Sequence, residues 1–171
     1  MKAIVLFDTL FGNTERIAQR IVTGLRKTGV KADCANIREA NVDELSKFDL
    51  IALGAPTQYF TASRPMKEFM DKLKKLNLEG KYGFAFDTRL DSFMAGSAAK
   101  YIEKKLKTYG LEILKSHNSA IVVGRQSNKK EGKKKAEVGD AQLEAGMDDL
   151  LEEVGKELGL LLLQQQSKAQ R

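Results

Sequence analysis

Runs of consecutive apolar residues alternate along this chain with segments in which apolar residues recur every three or four positions. Uninterrupted apolar runs are typical of strands buried on both faces of a sheet, and five strands are predicted, at residues 3–7, 31–37, 50–55, 82–86 and 120–123. One-sided apolar spacing predicts amphipathic helices at residues 17–25, 65–76, 95–109 and 147–158. This alternation of strand and helix predicts an α/β fold with a parallel sheet between two helical layers.

The pattern predicts one domain that spans residues 1–163 of the 171-residue chain. Residues 125–139 break the periodicity with charges and glycine, so we expect an exposed basic loop there. Residues 164–171 follow the last apolar run, and we expect a frayed or disordered tail. The formal net charge is +6, and residues 125–135 alone contain six basic side chains and one acidic one. This run is either a solvated loop or a device that steers an acidic redox partner.

Several classes of function find no support in the composition. A single cysteine, Cys34, and a single histidine, His117, build neither a disulfide framework nor a His/Cys zinc site. No serine lies in a G-x-S-x-G elbow, and no aromatic residues interleave the lysine run, so hydrolysis and nucleic-acid binding are not expected. No apolar run is long enough to cross a bilayer, and we expect a cytoplasmic protein without membrane insertion.

The loop at residues 8–14 joins a buried strand to a helix and has the chemistry of a phosphate site. A helix N-terminus offers unpaired backbone N–H groups and a partial positive charge. Hydroxyl and amide groups from Thr9, Asn13 and Thr14 add donors, and Gly12 lets a phosphate approach the backbone. The spacing is neither a Walker loop nor a dinucleotide fingerprint, so an ordinary strand–helix turn capped by Asn13 or Thr14 is an equal alternative.

Two further loops, at residues 56–61 and 87–93, follow other strands and contribute aromatic side chains. Tyr59, Phe60 and Phe93 offer faces on which a planar ring stacks, although an aromatic taken alone more often packs at the rim of the core than binds a ligand. Asp8 and Asp87 also follow strands, and we expect them to hydrogen-bond to loop backbone rather than to act in acid–base catalysis. In a parallel sheet, loops at the carboxyl ends of strands converge on the ligand.

Together the loops resemble those of flavodoxins. Residues 9–14, Thr-Leu-Phe-Gly-Asn-Thr, are similar to the family pattern [ST]-x-T-G-x-T, with Phe11 in place of a hydroxyl residue. Residues 54–57, Gly-Ala-Pro-Thr, are similar to the family segment that follows the third strand. The Asp-Thr pair at residues 8 and 9 resembles more closely the flavodoxin domain of A-type flavodiiron proteins.

The resemblance implies a flavodoxin-like three-layer sandwich with a five-stranded parallel sheet in the order 2-1-3-4-5. It implies non-covalent FMN and electron transfer between redox partner proteins, without a catalytic residue or metal of the chain's own. By resemblance, the phosphate loop comprises Thr9, Leu10, Phe11, Gly12, Asn13 and Thr14. One wall of the flavin ring comprises Pro56, Thr57, Gln58, Tyr59 and Phe60. The other wall comprises Asp87, Thr88, Arg89 and Phe93.

The chain departs from ordinary flavodoxins in charge and in aromatic content. It is net positive where they are acidic, which favours partners with acidic docking surfaces, and it has no tryptophan to stack on the ring. Two alternatives stay open: an FMN-dependent NAD(P)H oxidoreductase that acts on a small substrate, and a flavin-free interaction module on the same fold. The sequence is consistent with a monomer or a homodimer.

Overall fold

The computed structural model describes residues 1–91, 96–123 and 142–169 of the chain. The strands in this part are β1 (Lys2–Phe7), β2 (Lys31–Asn36), β3 (Leu50–Gln58), β4 (Thr61–Ala62), β5 (Tyr82–Leu90), β6 (Glu112–Ile113), β7 (Asn118–Val123) and β8 (Gln142–Leu143). The helices are α1 (Asn13–Lys27), α2 (Arg64–Leu73), α3 (Ala98–Thr108) and α4 (Met147–Ala169), with a 3-10 helix at Val42–Lys47.

Five of these strands run parallel, in the spatial order β2-β1-β3-β5-β7. Numbered among themselves, they stand in the order 2-1-3-4-5, so the predicted fold is confirmed. The short strands extend this sheet: β6 pairs parallel with β5, whereas β4 and β8 pair antiparallel with β3 and β7. The strand order reverses between β1 and β3, and the crevice at such a switch point is where ligands bind in open α/β sheets.

The sheet separates two apolar cores. On one face, α1 and α4 cover β1, β2 and β5, and the largest buried side chains there include Ile17, Ile21, Leu25, Phe84 and Phe86. On the other face, α2 and α3 cover β1, β3 and β5, with Leu6, Ile51, Leu53, Met66 and Met70 among the buried residues. The central strands are therefore buried on both sides, as their unbroken apolar runs predicted.

Helices α1 and α4 pack closely because glycines remove the side chains at their contact. A Cβ atom at Gly24 would lie 2.1 Å from the Glu152 carbonyl oxygen, and one at Gly155 would lie 2.2 Å from the Ile21 carbonyl oxygen. No side chain fits in that space. The close contact fixes α4 against α1, and thereby also the position of the start of α1 at the edge of the sheet.

Strands β3 and β5 are longer than the apolar runs predicted. Residues 56–58 pair with β5 and β4, and residues 87–90 pair with β7, so both sets are strand rather than loop. The polar side chains at these positions ended the apolar runs, but backbone pairing continues past them because neighbouring strands are still present.

The expected disorder from residue 164 onward is wrong for residues 164–169, which continue α4 to Ala169. Leu158 and Leu162 are fully buried and hold this end of the helix on the body of the protein. The glutamines that follow are good helix formers, so the helix continues beyond its packed residues. The predicted basic loop at residues 125–139 lies outside the described residues. None of the helices described is long and apolar enough to cross a membrane.

Candidate functional site

The carboxyl ends of β1, β3 and β5 meet at one edge of the sheet, and the predicted site residues lie along it. The structure describes all of them except Phe93, which falls outside the described residues. Three loops reach this edge, after β1, β3 and β5. The structure links the first loop to the third and the second loop to the third.

The first loop is a tight turn between β1 and α1. Asp8 N donates to the Gly54 carbonyl oxygen at 2.9 Å and extends the pairing of β1 with β3 by one residue. Gly12 N donates to Thr9 Oγ1 at 3.0 Å, and Gly12 adopts a left-handed conformation with φ 82°. The loop presents Leu10 and Phe11 to solvent.

Helix α1 begins without a side-chain cap. The structure places Gly12 at the N-cap position and both Asn13 and Thr14 inside the helix, so the alternative of a turn capped by either residue is wrong. Glu15 lies in the first turn. The backbone N–H groups of this turn, which carry the positive end of the helix dipole, have no side-chain acceptor from the N-cap residue.

A buried pair of hydroxyl groups joins the first turn of α1 to the end of β5. Thr14 Oγ1 and Thr88 Oγ1 lie 2.9 Å apart, and both side chains are buried. One hydroxyl hydrogen is used within the pair, which leaves the other to donate to a further group. The predicted phosphate loop and the predicted second ring wall are therefore in direct contact.

The second loop is a two-residue hairpin between β3 and β4. Thr57 pairs with Ala62 and Gln58 with Thr61, so Tyr59 and Phe60 alone form the turn. Both have positive φ, 47° and 68°. Such turns usually take asparagine, aspartate or glycine, because a Cβ atom is strained in this conformation.

The hairpin holds two strained aromatic residues that bury little of their own surface. Tyr59 is 94% exposed and Phe60 is 63% exposed. Leu10, Phe11 and Leu90 are exposed at the same edge, and we call these five residues the apolar crest. Strained backbone that presents apolar side chains to solvent is a feature of ligand sites.

The hairpin also touches the third loop through backbone alone. Phe60 forms a parallel bridge with Gly96, which adopts φ 71°. A Cβ atom at Gly96 would lie 2.4 Å from the Phe60 Cα atom, so only glycine fits there. This contact ties the segment that follows β5 to the turn that follows β3.

Asp87 and Thr57, both predicted in the ring walls, are engaged at the start of α3. Asp87 is fully buried, and its Oδ2 accepts from Ala99 N at 2.9 Å and from Ser97 Oγ at 2.8 Å. Thr57 Oγ1 donates to the same carboxylate oxygen at 3.1 Å and accepts from Ala98 N at 2.9 Å. Asp87 therefore hydrogen-bonds to backbone, as expected, but at the start of α3 rather than in a loop, whereas the side-chain partner of Asp8 is the Ser63 hydroxyl.

Two buried polar atoms lack a hydrogen-bond partner in the described part of the chain, and both belong to the end of β5. They are Asp87 Oδ1 and Arg89 Nε. Side chains alternate along a strand, so residues 87 and 89 lie on the same face of β5. An unsatisfied donor and an unsatisfied acceptor therefore lie together at the predicted second ring wall.

Sequence reasoning missed three residues of this edge. Ser63 Oγ donates to Asp8 Oδ2 at 2.5 Å, and both side chains are buried. Ser97 caps α3, since its hydroxyl accepts from Lys100 N at 3.1 Å. Ser63 directly precedes α2 and Ser97 directly precedes α3, and a serine at such a position is a usable sequence signal for a helix start. No sequence signal indicated the role of Gly96.

A separate cavity of about 270 Å³ lies beside β2, lined by Phe7, Glu15, Gln19, Cys34, Ala35, Asn36 and Glu39. Burial, with a further contribution from Glu15, raises the pKa of the Cys34 thiol to about 11. The thiol is therefore protonated and weakly nucleophilic at neutral pH. Among the described residues, no three His, Cys, Asp or Glu side chains cluster closely enough to hold a metal ion.

A family model described as Flavodoxin matches residues 5–153 of the chain. A flavodoxin of Clostridium saccharobutylicum is 35% identical over 98 residues, which are 57% of this chain and 61% of that protein. An NAD(P)H dehydrogenase (quinone) of Cupriavidus metallidurans is 28% identical over 109 residues, 50% of this chain and 55% of that protein. The matches thus cover less than two thirds of either relative.

Solved structures show the same fold. A flavodoxin from the domain Archaea superimposes with a TM-score of 0.75 at 23% identity, over 95% of this chain and 99% of that one. The flavodiiron protein of Giardia intestinalis superimposes with a TM-score of 0.70 at 17% identity, over 95% of this chain and 36% of that one. The second similarity thus involves about a third of a longer protein.

Proposed function

Because the chain belongs to the flavodoxin family, whose members bind flavin, typically FMN, we propose that it binds FMN non-covalently and carries electrons between redox proteins. The observation that supports this most strongly is the uncapped start of α1 at the same sheet edge as the exposed aromatic hairpin. FMN combines an anionic phosphate with a planar, partly apolar ring, and this edge offers a complement to both.

The start of α1 fits a phosphate group. Its N-cap residue, Gly12, provides no side-chain cap, and a Cβ atom at Gly12 would meet nothing within 4 Å, so the space above the N-cap is open. Thr9 and Thr14 bring hydroxyl groups to the same turn. We propose that Thr9, Gly12, Asn13 and Thr14 hold the phosphate, which gains from the helix dipole and from charge-assisted hydrogen bonds.

The apolar crest and Arg89 fit the ring system. Tyr59 and Phe60 project from the edge on a backbone fixed by β4 pairing and by the Gly96 contact. The buried, unpartnered Nε of Arg89 is a donor of the kind that the polar edge of the ring accepts. When bound, FMN supplies one- or two-electron redox chemistry, and the protein positions and tunes it.

Two buried acids at this edge favour a carrier over a substrate-converting enzyme. Asp8 is engaged by Ser63 and Asp87 by the start of α3, and both side chains are buried. Neither carboxylate lies open to a substrate, as a general acid or base must. The second candidate, an FMN-dependent NAD(P)H oxidoreductase, is favoured by the quinone-dehydrogenase relative and by the high exposure of Tyr59, which leaves room beside the ring.

The proposal is tested by titrating the flavin-stripped chain with FMN, with riboflavin as the matched ligand that lacks the phosphate. We expect saturable quenching of FMN fluorescence in the micromolar range or below, and roughly tenfold weaker binding of riboflavin, which corresponds to about 1.4 kcal/mol from the phosphate. Quenching by neither ligand would leave a flavin-free interaction module. Rapid reduction of the FMN-loaded chain by NAD(P)H alone would establish the second candidate instead.

A further inference from the structure

The two helical layers differ in how their surface cations are paired. Across the α1–α4 contact, Arg16 and Arg20 reach Asp148, and Lys27 reaches Glu152. In the layer of α2 and α3, most lysines have no acidic partner among the residues described: Lys67, Lys72, Lys74, Lys75, Lys81, Lys100, Lys104 and Lys105. The unneutralised positive charge of the described structure is therefore concentrated on one side of the sheet.

Two of these lysines lie over one aromatic ring, and two more are exposed on the helix that carries it. Lys67 of α2 places its Nζ 5.5 Å from the ring centroid of Tyr101, and Lys105 of α3 places its Nζ 5.8 Å from the same centroid. Lys100 and Lys104 are exposed on α3 beside them. We call these four lysines and Tyr101 the Tyr101 cluster.

The acids nearby neutralise little of this charge. Glu68 is engaged by Arg64, and Glu103 is engaged by Lys107 and His117. Asp71 is exposed on α2. The pKa of Tyr109 is raised mainly by burial and further by the negative charge of Asp71. Like charges held together on a surface attract a complementary negative surface and accelerate its approach.

The Tyr101 cluster is continuous with the candidate site. Helix α2 begins two residues after the β3–β4 hairpin ends its pairing, and α3 begins at the carboxylate of Asp87. Lys67 and Lys100 lie in the first turns of these helices and therefore close to the sheet edge that carries the apolar crest. An apolar centre with a charged flank is the usual anatomy of a protein–protein interface.

We propose that the Tyr101 cluster docks the acidic surface of a redox protein, whose apolar centre then meets the apolar crest. That the partner is a redox protein rests on the proposed electron-carrier function. That its surface is acidic rests on the positive charge of the α2–α3 layer. It places the docking surface on the described helices rather than in the lysine run at residues 125–135.

A protein partner fits this surface better than a nucleic acid. The positive charges of the cluster all belong to lysines, which act as point charges. The one arginine of α2, Arg64, is engaged by Glu68. The Tyr101 ring is half-buried and has a lysine ammonium near it from each helix, so no base can stack on it.

Two triple variants of the full chain test the proposal. The cluster variant replaces Lys67, Lys100 and Lys105 by glutamine. The control variant replaces Lys2, Lys31 and Lys168 by glutamine; these lysines are exposed, and their side-chain ammonium groups have no acidic partner in the part of the chain described. Both lower the net charge equally. The probe is a small acidic [2Fe–2S] ferredoxin, and its affinity is measured by calorimetry at low and at high salt.

We expect the wild type and the control variant to bind the ferredoxin equally and the cluster variant to bind roughly tenfold more weakly, with a smaller salt dependence. Carbodiimide, which joins touching carboxylate and amine groups, is expected to link the ferredoxin to Lys67, Lys100, Lys104 or Lys105. If the cluster variant does not fold, the double variant Lys100→Gln/Lys104→Gln, which changes only exposed side chains, is expected to weaken binding roughly threefold.

Equal binding by the cluster and control variants would overturn the proposal, as would no binding of ferredoxin by the wild type at low salt. Displacement of the ferredoxin by a short DNA duplex, with the same lysine dependence and a higher affinity, would identify a nucleic-acid surface instead. Binding is measured without electron transfer, so a chain that fails to bind FMN would contradict the proposed function and still leave the docking result readable.

Discussion

Helices α1 and α3 begin at the same edge of the sheet, but they differ in the side-chain acceptors that their first backbone amides find. The amides of residues 98–100, at the start of α3, each donate to a side chain of the protein itself, namely Thr57, Asp87 and Ser97. The start of α1 has glycine at the N-cap and no side-chain cap. One helix start is closed by polar side chains of the protein, and the other receives no side-chain cap from its N-cap residue.

This difference separates the structural role of the start of α3 from the binding role that we propose for the start of α1. Both N-termini carry the same partial positive charge and the same kind of orphan donors. At α3 a buried carboxylate satisfies them, so the start of α3 serves as a fixed wall. At α1 the N-cap glycine supplies no side-chain acceptor, and we propose that an anion from outside binds there. The sequence motifs assigned the residues before and at the start of α1, and also Thr57 and Asp87, to the cofactor, whereas the hydrogen bonds place Thr57 and Asp87 at the start of α3.

The largest effect is expected from Asp87→Ala, which removes the acceptor that closes the start of α3. The change leaves buried donors without partners, so we expect a loss of about 3 kcal/mol in the free energy of unfolding, measured by urea denaturation. Asp87→Asn keeps an oxygen acceptor and should lose less. If Asp87→Ala unfolds at the wild-type urea concentration, the carboxylate does not hold α3 in place.

Glu103 tests whether α3 is also fixed along its length. Burial raises the pKa of this carboxyl group, but hydrogen bonds from Lys107 and from His117 outweigh burial and lower the pKa to about 2. The carboxylate therefore stabilises the fold above its ordinary pKa near 4.5, and this contribution disappears as the pH falls from there toward 2.

We expect Glu103→Gln to lose about 2 kcal/mol at pH 7 relative to the wild type, with a difference that narrows as the pH falls below 4.5. Thermal unfolding at a series of pH values measures this directly. A difference that is constant with pH would show that the charge of Glu103 contributes nothing to the stability of α3.

Gly12 and Gly29 provide a matched pair at the two ends of α1. Both have positive φ, 82° and 88°, and a Cβ atom at either position would meet nothing within 4 Å. Replacement of either by alanine should therefore cost the fold a similar amount, about 1 kcal/mol. Only Gly12→Ala places a methyl group at the open helix start, so it alone should weaken FMN binding, by roughly tenfold or 1.4 kcal/mol.

The same fluorescence titration that compares FMN with riboflavin measures this pair. Gly29→Ala should bind FMN as the wild type does. Equal FMN affinity for the two variants would contradict the role assigned to the start of α1.

The smallest effect is expected at the ion pair beside the open helix start. Arg16, in the first turn of α1, binds Asp148 of α4 and is largely exposed, and Arg20 reaches the same carboxylate. Asp148→Asn should change the free energy of unfolding by less than about 1 kcal/mol, because exposed pairs contribute little. A larger loss by urea denaturation would mean that the α1 start is positioned by this pair rather than by the glycine contacts with α4.

Much of this structure followed from local chemistry. Unbroken apolar runs identified the buried strands, and one-sided spacing identified the helices, because burial imposes these patterns directly. The ends of β3 and β5 were missed, since polar residues such as Thr57 and Asp87 stop an apolar run without stopping backbone pairing. The tail was missed because glutamine lacks an apolar pattern, although it favours helix.

The site was harder to read than the fold. The sequence placed Thr14 and Thr88 in separate loops, and only the folded chain shows their hydroxyl groups in contact. The positive φ of Tyr59 and Phe60 is imposed by strand pairing on both sides of a two-residue turn. Neither residue type predicts a positive φ from the sequence. Long-range pairing of this kind leaves no trace in local composition.

The most direct measurement is the response of backbone amides to FMN, followed by ¹H–¹⁵N NMR with riboflavin as control. We predict that the amides of residues 12–15, at the start of α1, shift strongly with FMN and much less with riboflavin. We predict that the chemical shifts of the amides of residues 98–100 do not differ between FMN and riboflavin, because these amides donate to side chains of the protein. Phosphate-dependent shifts at residues 98–100, with none at residues 12–15, would contradict the account.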